Sequence, residues 1–102
     1  MKINEDLVLV SKETAECHKA IKSFINRHKL YTNGCKTFYT ASEWKYRKEE
    51  HCQNAILNIV YDGSDVKEIV RGRLRDKFKA YLAERGYYIQ EGLHWYCGIY
   101  KK

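Results

Sequence analysis

Apolar side chains recur at helical spacing near the beginning of the chain. Ser11 or Thr14 can cap a helix there, and the residues that follow place apolar groups three and four positions apart: Cys17, Ala20, Ile21, Phe24, Ile25 and His28. The dipeptide Asn33-Gly34 favours a left-handed turn after this stretch. The pattern predicts an amphipathic helix that buries one face.

A second apolar stripe predicts a longer helix over residues 66–85. Ser64 or Asp65 can cap its beginning, and Gly86 is typical of the residue that follows a helix. The stripe consists of Val66, Ile69, Val70, Leu74, Phe78, Tyr81 and Leu82.

Strand-forming residues dominate three further segments. Residues 7–10 form a short β-like run. Residues 37–40 form another, and Ser42 then caps a short helix that extends to about Glu50. Residues 55–61 are the most apolar segment, and such a continuous run is typical of a central strand buried on both faces.

The last segment of the chain predicts a β-hairpin. In residues 87–90 and 93–100, successive side chains alternate between two faces as in strands, and Glu91-Gly92 joins the two segments. The expected fold class is therefore α+β: a small mixed or antiparallel sheet, ending in the hairpin, packed against two main helices and one short helix. Because no linker or repeat divides the pattern, residues 1–102 are expected to form a single domain.

Length and composition narrow the class of protein. A chain of 102 residues can fold without a metal or disulfide, so no cofactor is expected. No apolar run approaches the roughly 18 residues of a membrane span, and the first six residues turn acidic, which predicts a cytoplasmic protein without a membrane partner. The four cysteines form no CxxC pair and are expected to be reduced.

Charge and tyrosine content favour a binding role. Lys and Arg outnumber Asp and Glu by 19 to 13, a net charge of +6 that favours polyanions or acidic protein surfaces. Nine tyrosines against three phenylalanines suit interfaces, since tyrosine joins a large apolar ring to a polar tip.

Two aromatic segments are candidate partner-binding sites. In the hairpin, Tyr88, Tyr96 and Tyr100 lie close to the basic end of the chain, on the face expected to be exposed; ordinary sheet packing is the alternative. In residues 43–51, Trp44, Tyr46 and Arg47 can stack on bases or grip an acidic surface. The alternative is that Arg47 forms a structural ion pair and Trp44 anchors the short helix on the core, which is the role expected for Trp44.

A basic row along the second helix is a candidate nucleic-acid site. Arg71, Arg75 and Lys79 repeat every four residues beside the apolar stripe. Acidic residues interrupt this row of positive charges. An ordinary solvent-exposed helix face has the same mixture of charges and is the alternative.

Catalytic and metal sites have weaker support. Asp62, Asp65, Glu43 and His94 are acid-base candidates, although turn and cap chemistry explains both aspartates. Of the His and Cys residues, only His94 and Cys97 have zinc-ligand spacing, and on a strand they point to opposite faces, so no metal is expected.

The chain resembles small uncharacterised proteins of phages and bacteria over roughly its last two thirds. The resemblance rests on Glu43-Trp44 with Arg47, the segment 55–61 followed by Asp62-Gly63, and Gly92-Leu93, Trp95-Tyr96 and Ile99-Tyr100. It implies a compact α+β fold and a phage or mobile-element setting, in which small proteins often disable host factors such as CRISPR effectors. No catalytic residues carry over.

The expected function is therefore non-enzymatic binding. The first expectation is a phage-encoded inhibitor of a host protein or defence complex, of the anti-CRISPR type, that uses an aromatic and basic surface; its partner is a host protein or a protein–nucleic-acid complex. Direct nucleic-acid binding is the alternative, and a small enzyme with acid-base residues near Asp62 is the third.

Overall fold

The computed structural model describes residues 11–31, 36–49 and 51–102. The strand-like run at residues 7–10 and the turn at Asn33-Gly34 lie outside the described residues. The elements are α1 (Lys12–Arg27), β1 (Phe38–Thr40), α2 (Ala41–Arg47), β2 (Leu57–Val60), a 3₁₀ helix (Asp65–Ile69), α3 (Arg75–Glu84), β3 (Tyr87–Glu91) and β4 (Tyr96–Lys101). The α+β class and the terminal hairpin are confirmed.

In the described ranges, the sheet has four antiparallel strands in the order β1-β2-β4-β3. The predicted central strand is confirmed, because β2 lies between β1 and β4 and is almost entirely buried. Leu57 pairs with Ile99 and Ile59 with Cys97, so apolar side chains of the two inner strands share one face.

That face carries the larger core. Side chains of α1, the 3₁₀ helix and α3 pack against it, among them Ile21, Phe24, Val66, Ile69, Phe78 and Leu82, each at most 1% exposed. The Phe24 ring lies edge-on to Phe78, with centroids 5.1 Å apart.

The opposite face is covered as well, by α2 and the segment that follows it. Trp44, Cys52, Ala55 and Tyr96 form a second, smaller cluster there. Gly98 makes this packing possible, because a Cβ at that position would lie 2.9 Å from Ala55 Cβ and 3.0 Å from Cys52 Cβ. Residues 52 and 55 thus approach the sheet where β4 has no side chain.

The helix caps follow the sequence only in part. Ser11 caps α1, as predicted, by accepting a hydrogen bond from the Thr14 N–H at 3.2 Å. The prediction that Ser42 caps α2 is wrong. Thr40 is the cap: its hydroxyl accepts from the Glu43 N–H at 3.2 Å, and the Glu43 carboxylate accepts from the Thr40 N–H at 2.8 Å.

The predicted long helix over residues 66–85 is also wrong, since it divides into the 3₁₀ helix and α3. Ser64 caps the first part, and residues 70–74 turn between the two. The turn is held by Glu68, whose carboxylate accepts from the Arg73 N–H at 3.2 Å and whose carbonyl accepts from the Leu74 N–H at 3.1 Å. Gly72 fits against it, because a Cβ there would lie 2.8 Å from Glu68 Cα.

Candidate functional site

Helix α2 turns one aromatic side chain inward and the next outward. Trp44 is fully buried, with its indole N–H donating to the His51 carbonyl at 2.8 Å, which confirms its predicted anchoring role. Tyr46, two residues later, is 89% exposed. Two residues correspond to about 200° of rotation on a helix, so anchoring Trp44 forces Tyr46 into solvent.

Arg47 lies above the aromatic side chains beside α2. Its guanidinium carbon is 5.1 Å from the ring centroid of Tyr39, 5.5 Å from Trp44 and 5.9 Å from Trp95. Glu49 accepts hydrogen bonds from its Nε at 3.1 Å and its Nη2 at 2.9 Å. Ring stacking and this ion pair together fix the position of the cation.

Two open hollows flank Tyr46. One, of about 420 Å³, is lined by Tyr39, Ser42, Glu43, Tyr46 and Arg47. The other, of about 700 Å³, is lined by Ser42, Lys45, Tyr46 and Lys48. We call the surface formed by Tyr39, Lys45, Tyr46, Arg47 and Lys48 the α2 surface.

The α2 surface has an excess of positive charge. Glu43 forms an ion pair with Lys36 at 2.6 Å, and Glu49 pairs with Arg47. Burial alone would raise the pKa of the Glu43 carboxyl, but hydrogen bonds from Lys36 and Thr40 hold that pKa below its usual value. Lys45 and Lys48 form no ion pair with the described residues, so their charges face solvent.

The hairpin tyrosines separate into different environments. The expectation that Tyr96 is exposed is wrong: it is fully buried, and its ring centroid lies 4.8 Å from that of Trp44. Tyr88 is 43% exposed and stacks on Tyr100 with centroids 5.4 Å apart. Tyr100 is only partly exposed, and burial raises its pKa to about 12. Tyr96 is hidden because α2 covers a sheet face that was expected to be open.

The predicted basic row does not form on one helix. Arg71 lies in the turn before α3, and its Nη2 pairs with the Glu91 carboxylate of β3 at 2.9 Å. Arg75 and Lys79 remain together on α3. The three cations do not share one helix because α3 begins only at Arg75.

The acid-base candidates have separate local environments. Asp65 accepts a hydrogen bond from the Tyr31 N–H at 3.3 Å, and Glu43 belongs to the α2 cap. Asp62 and His94 are exposed in turns. Within the described ranges, no three His, Cys, Asp or Glu residues are grouped as metal ligands.

Three cysteines are buried and reduced: Cys17, Cys52 and Cys97. Burial raises the pKa of Cys17 to about 12 and the pKa of Cys52 and Cys97 above the usual value. The Cys52 thiol donates weakly to the Gln90 carbonyl at 3.8 Å. All three are protonated at neutral pH, which makes them poor nucleophiles.

Comparison with known proteins gave no match to this chain among protein-family models, curated proteins or solved structures. Among the residues that the structure describes, no helix has the length and apolar character needed to cross a membrane.

Proposed function

We propose that this chain is a binding protein that docks on an acidic protein surface through its α2 surface. The observation that carries the proposal is Tyr46: an 89% exposed tyrosine on a helix anchored by a buried tryptophan. Tyrosine and arginine contribute a large share of binding energy in protein interfaces. Trp44 anchors the helix that carries Tyr46, and the rings beneath Arg47 hold its guanidinium in place.

Charge supports an acidic partner. Lys45 and Lys48 flank Tyr46 and carry charges that no described residue neutralises. Arg71 lies outside α3 and already pairs with Glu91, so two cations of the predicted basic row, Arg75 and Lys79, remain on that helix, and we rank direct nucleic-acid binding second. The resemblance to phage and bacterial proteins adds the expectation that the partner is a host factor and that binding inhibits it.

The test is a pull-down from bacterial lysate, treated with nuclease, followed by reconstitution with each purified candidate partner. Tyr46→Ala and Lys45→Glu are each expected to weaken the reconstituted complex by about tenfold or more, the usual effect of losing a hot-spot residue. Tyr31→Ala is the matched control, since Tyr31 is also an exposed tyrosine, 69% exposed, and lies outside the α2 surface.

Two results would reject the proposal. One is a reconstituted complex that Tyr46→Ala and Tyr31→Ala weaken equally. The other is capture that disappears after nuclease treatment, with tight binding of labelled oligonucleotides whose affinity falls steeply with salt, which would assign the chain to the nucleic-acid class instead.

A further inference from the structure

Among the described strands, β3 lies at one edge of the sheet, and the hydrogen-bond register shows which of its groups face outward. The Lys102 N–H donates to the Gly86 carbonyl at 2.9 Å, and the Gly92 N–H donates to the Tyr96 carbonyl at 3.1 Å. Hydrogen-bonded pairs alternate along an antiparallel ladder, so residues 88 and 90 direct their main-chain groups toward β4.

The N–H and C=O groups of Tyr87, Ile89 and Glu91 therefore point away from the sheet. None of these main-chain groups forms a hydrogen bond with any residue in the described part of the chain. Three alternate residues with unpaired groups are the template onto which another strand can add.

A groove runs beside this edge, between β3 and α3. It consists of two hollows, of about 220 Å³ and about 280 Å³. Both are lined by Lys79 and Ile89, so they lie next to each other along β3. We call this the edge groove; its remaining lining residues are Ile69, Val70, Arg75 and Glu91 in the first hollow, and Ala83, Tyr87, Tyr88 and Lys102 in the second.

The edge groove is positively charged. Arg75, Lys79 and Lys102 line it, and its carboxylate, Glu91, is already paired with Arg71 at 2.9 Å. Lys79 forms no ion pair within the described ranges. Apolar side chains of Val70 and Ile89 form the floor between the charges.

We propose that an extended acidic peptide segment of another protein binds in the edge groove as a fifth strand. Its main chain pairs with the outward groups of Tyr87, Ile89 and Glu91, and the acidic side chains on its α3 side meet Arg75 and Lys79. This site is separate from the α2 surface and does not depend on the function proposed for it.

The chemistry of the edge selects this occupant. The outward carbonyls need N–H donors at strand spacing, which a peptide main chain supplies and a phosphodiester backbone does not. A second copy pairing through β3 would bring two sets of Arg75, Lys79 and Lys102 together, and like charges across an interface are unfavourable.

Isothermal titration calorimetry with a decapeptide of alternating valine and glutamate tests the proposal. We expect binding that weakens at least about tenfold when lysine replaces glutamate, since attractive charge contacts become repulsive. The same acidic peptide, N-methylated at alternate residues so that it cannot donate from its pairing edge, is expected to lose binding. Equal binding of the acidic and lysine peptides, or no binding of the acidic one, would overturn the proposal.

Variants of the protein locate the binding site. Ile89→Pro removes an N–H that points away from β4, so it blocks the added strand while leaving the β3–β4 ladder intact. Ile89→Pro and Lys79→Glu are each expected to lower the affinity for the acidic peptide by about tenfold or more. Lys77→Glu, an equal charge reversal on an exposed α3 residue that does not line the edge groove, is the matched control. Tyr46→Ala should leave this affinity unchanged, which separates the site from the α2 surface.

Amide hydrogen exchange tests occupation of the edge directly. The Ile89 and Glu91 amides should exchange rapidly in the free protein and slowly when the peptide is bound. Slow exchange in the free protein would overturn the proposal, because the edge would already be covered. Sedimentation would then identify a second copy or the chain's own residues as the cover.

Discussion

Gly98 lies where the second face of the sheet has no room for a side chain. A Cβ there would lie 2.9 Å from Ala55 Cβ, 3.0 Å from Cys52 Cβ and 3.1 Å from Cys52 Sγ. We expect Gly98→Ala to lower the free energy of unfolding by about 1–3 kcal/mol, the usual effect of overpacking a filled core. Chemical denaturation measures the change.

Ala55→Gly supplies the control for Gly98→Ala. In the wild-type protein, Ala55→Gly removes a buried methyl group and should lower the free energy of unfolding. In the Gly98→Ala variant it relieves the closest contact, so it should lower that free energy less or raise it. Additive effects of the two substitutions would show that the steric explanation is wrong.

His18 makes stability depend on pH. The side chain is 5% exposed, its Nε2 has no hydrogen-bond partner among the residues that the structure describes, and its ring lies edge-on to Phe38 at 4.6 Å. Burial, assisted by the charge of Lys22, lowers its pKa from 6.5 to about 4. Between those values the unfolded chain binds a proton that the folded chain does not, so the free energy of unfolding should fall as pH drops through this window.

Denaturation at several pH values between about 7 and 4 tests the role of His18. We expect His18→Leu to flatten the decline in unfolding free energy, whereas replacement of the exposed His94 by Asn should preserve it. A decline of the same slope in His18→Leu and wild type would assign the effect to other groups.

Among the elements, α2 depends on its cap. The Thr40 hydroxyl and the Glu43 carboxylate each accept a main-chain N–H, which fixes where this seven-residue helix begins. Thr40→Val keeps the branched shape of the side chain but removes the hydrogen-bond acceptor. We expect it to lower the free energy of unfolding, measured by denaturation, by about 1 kcal/mol. Ser42→Ala, at an exposed position, should change stability by less than about 0.5 kcal/mol. A larger loss of stability in Ser42→Ala than in Thr40→Val would indicate that Ser42 is the cap.

The elements also show what sequence reasoning can reach. Segment 55–61 and the hairpin were predictable because a short apolar run followed by turn residues, and two alternating segments around Glu91-Gly92, are both typical of strands. The division of segment 66–85 was not, since spacings of three and four residues keep Val66, Ile69 and Val70 on one side in either kind of helix. The bond from Arg73 N–H to the Glu68 carboxylate that turns the chain has no periodic signal.

The parts of the candidate sites that depend on neighbouring residues in the sequence could be predicted, whereas the parts that depend on distant residues could not. Tyr46 and Arg47 follow from the composition of α2, and Tyr46 is the most exposed of the large apolar side chains in the described residues. Tyr96 depends on a distant event, the packing of Trp44 over β4. The edge groove depends on the strand order. Because β4 pairs with β2, β3 is the outer strand of the hairpin among the described strands. Neither packing nor strand order is encoded in a short window of sequence.

At the scale of the whole molecule, burial determines the reactivity of the cysteines. Cys17 and Cys97 are fully buried, and Cys52 is 9% exposed. At pH 8 we expect iodoacetamide to modify all three more slowly than a free thiol, and Cys17 at least about 100-fold more slowly, because every unit by which the pKa is raised lowers the thiolate fraction tenfold. Peptide mapping by mass spectrometry follows each site.

The same labelling in denaturing urea is the control, and all three cysteines should then react at one common rate. Rapid modification of Cys52 in the native protein would contradict the expectation and show that the segment after α2 opens on its own.

The two-sided cover of the sheet also gives the protein an optical asymmetry. Both tryptophans, Trp44 and Trp95, belong to the smaller cluster, with ring centroids 6.3 Å apart. Tryptophan fluorescence therefore reports on the layer beneath the α2 surface, whereas far-ultraviolet circular dichroism is dominated by α1 and α3 on the other side. Superimposable melting curves from the two signals mean that the two layers unfold as one cooperative unit; a fluorescence transition at lower temperature means that the smaller layer melts first.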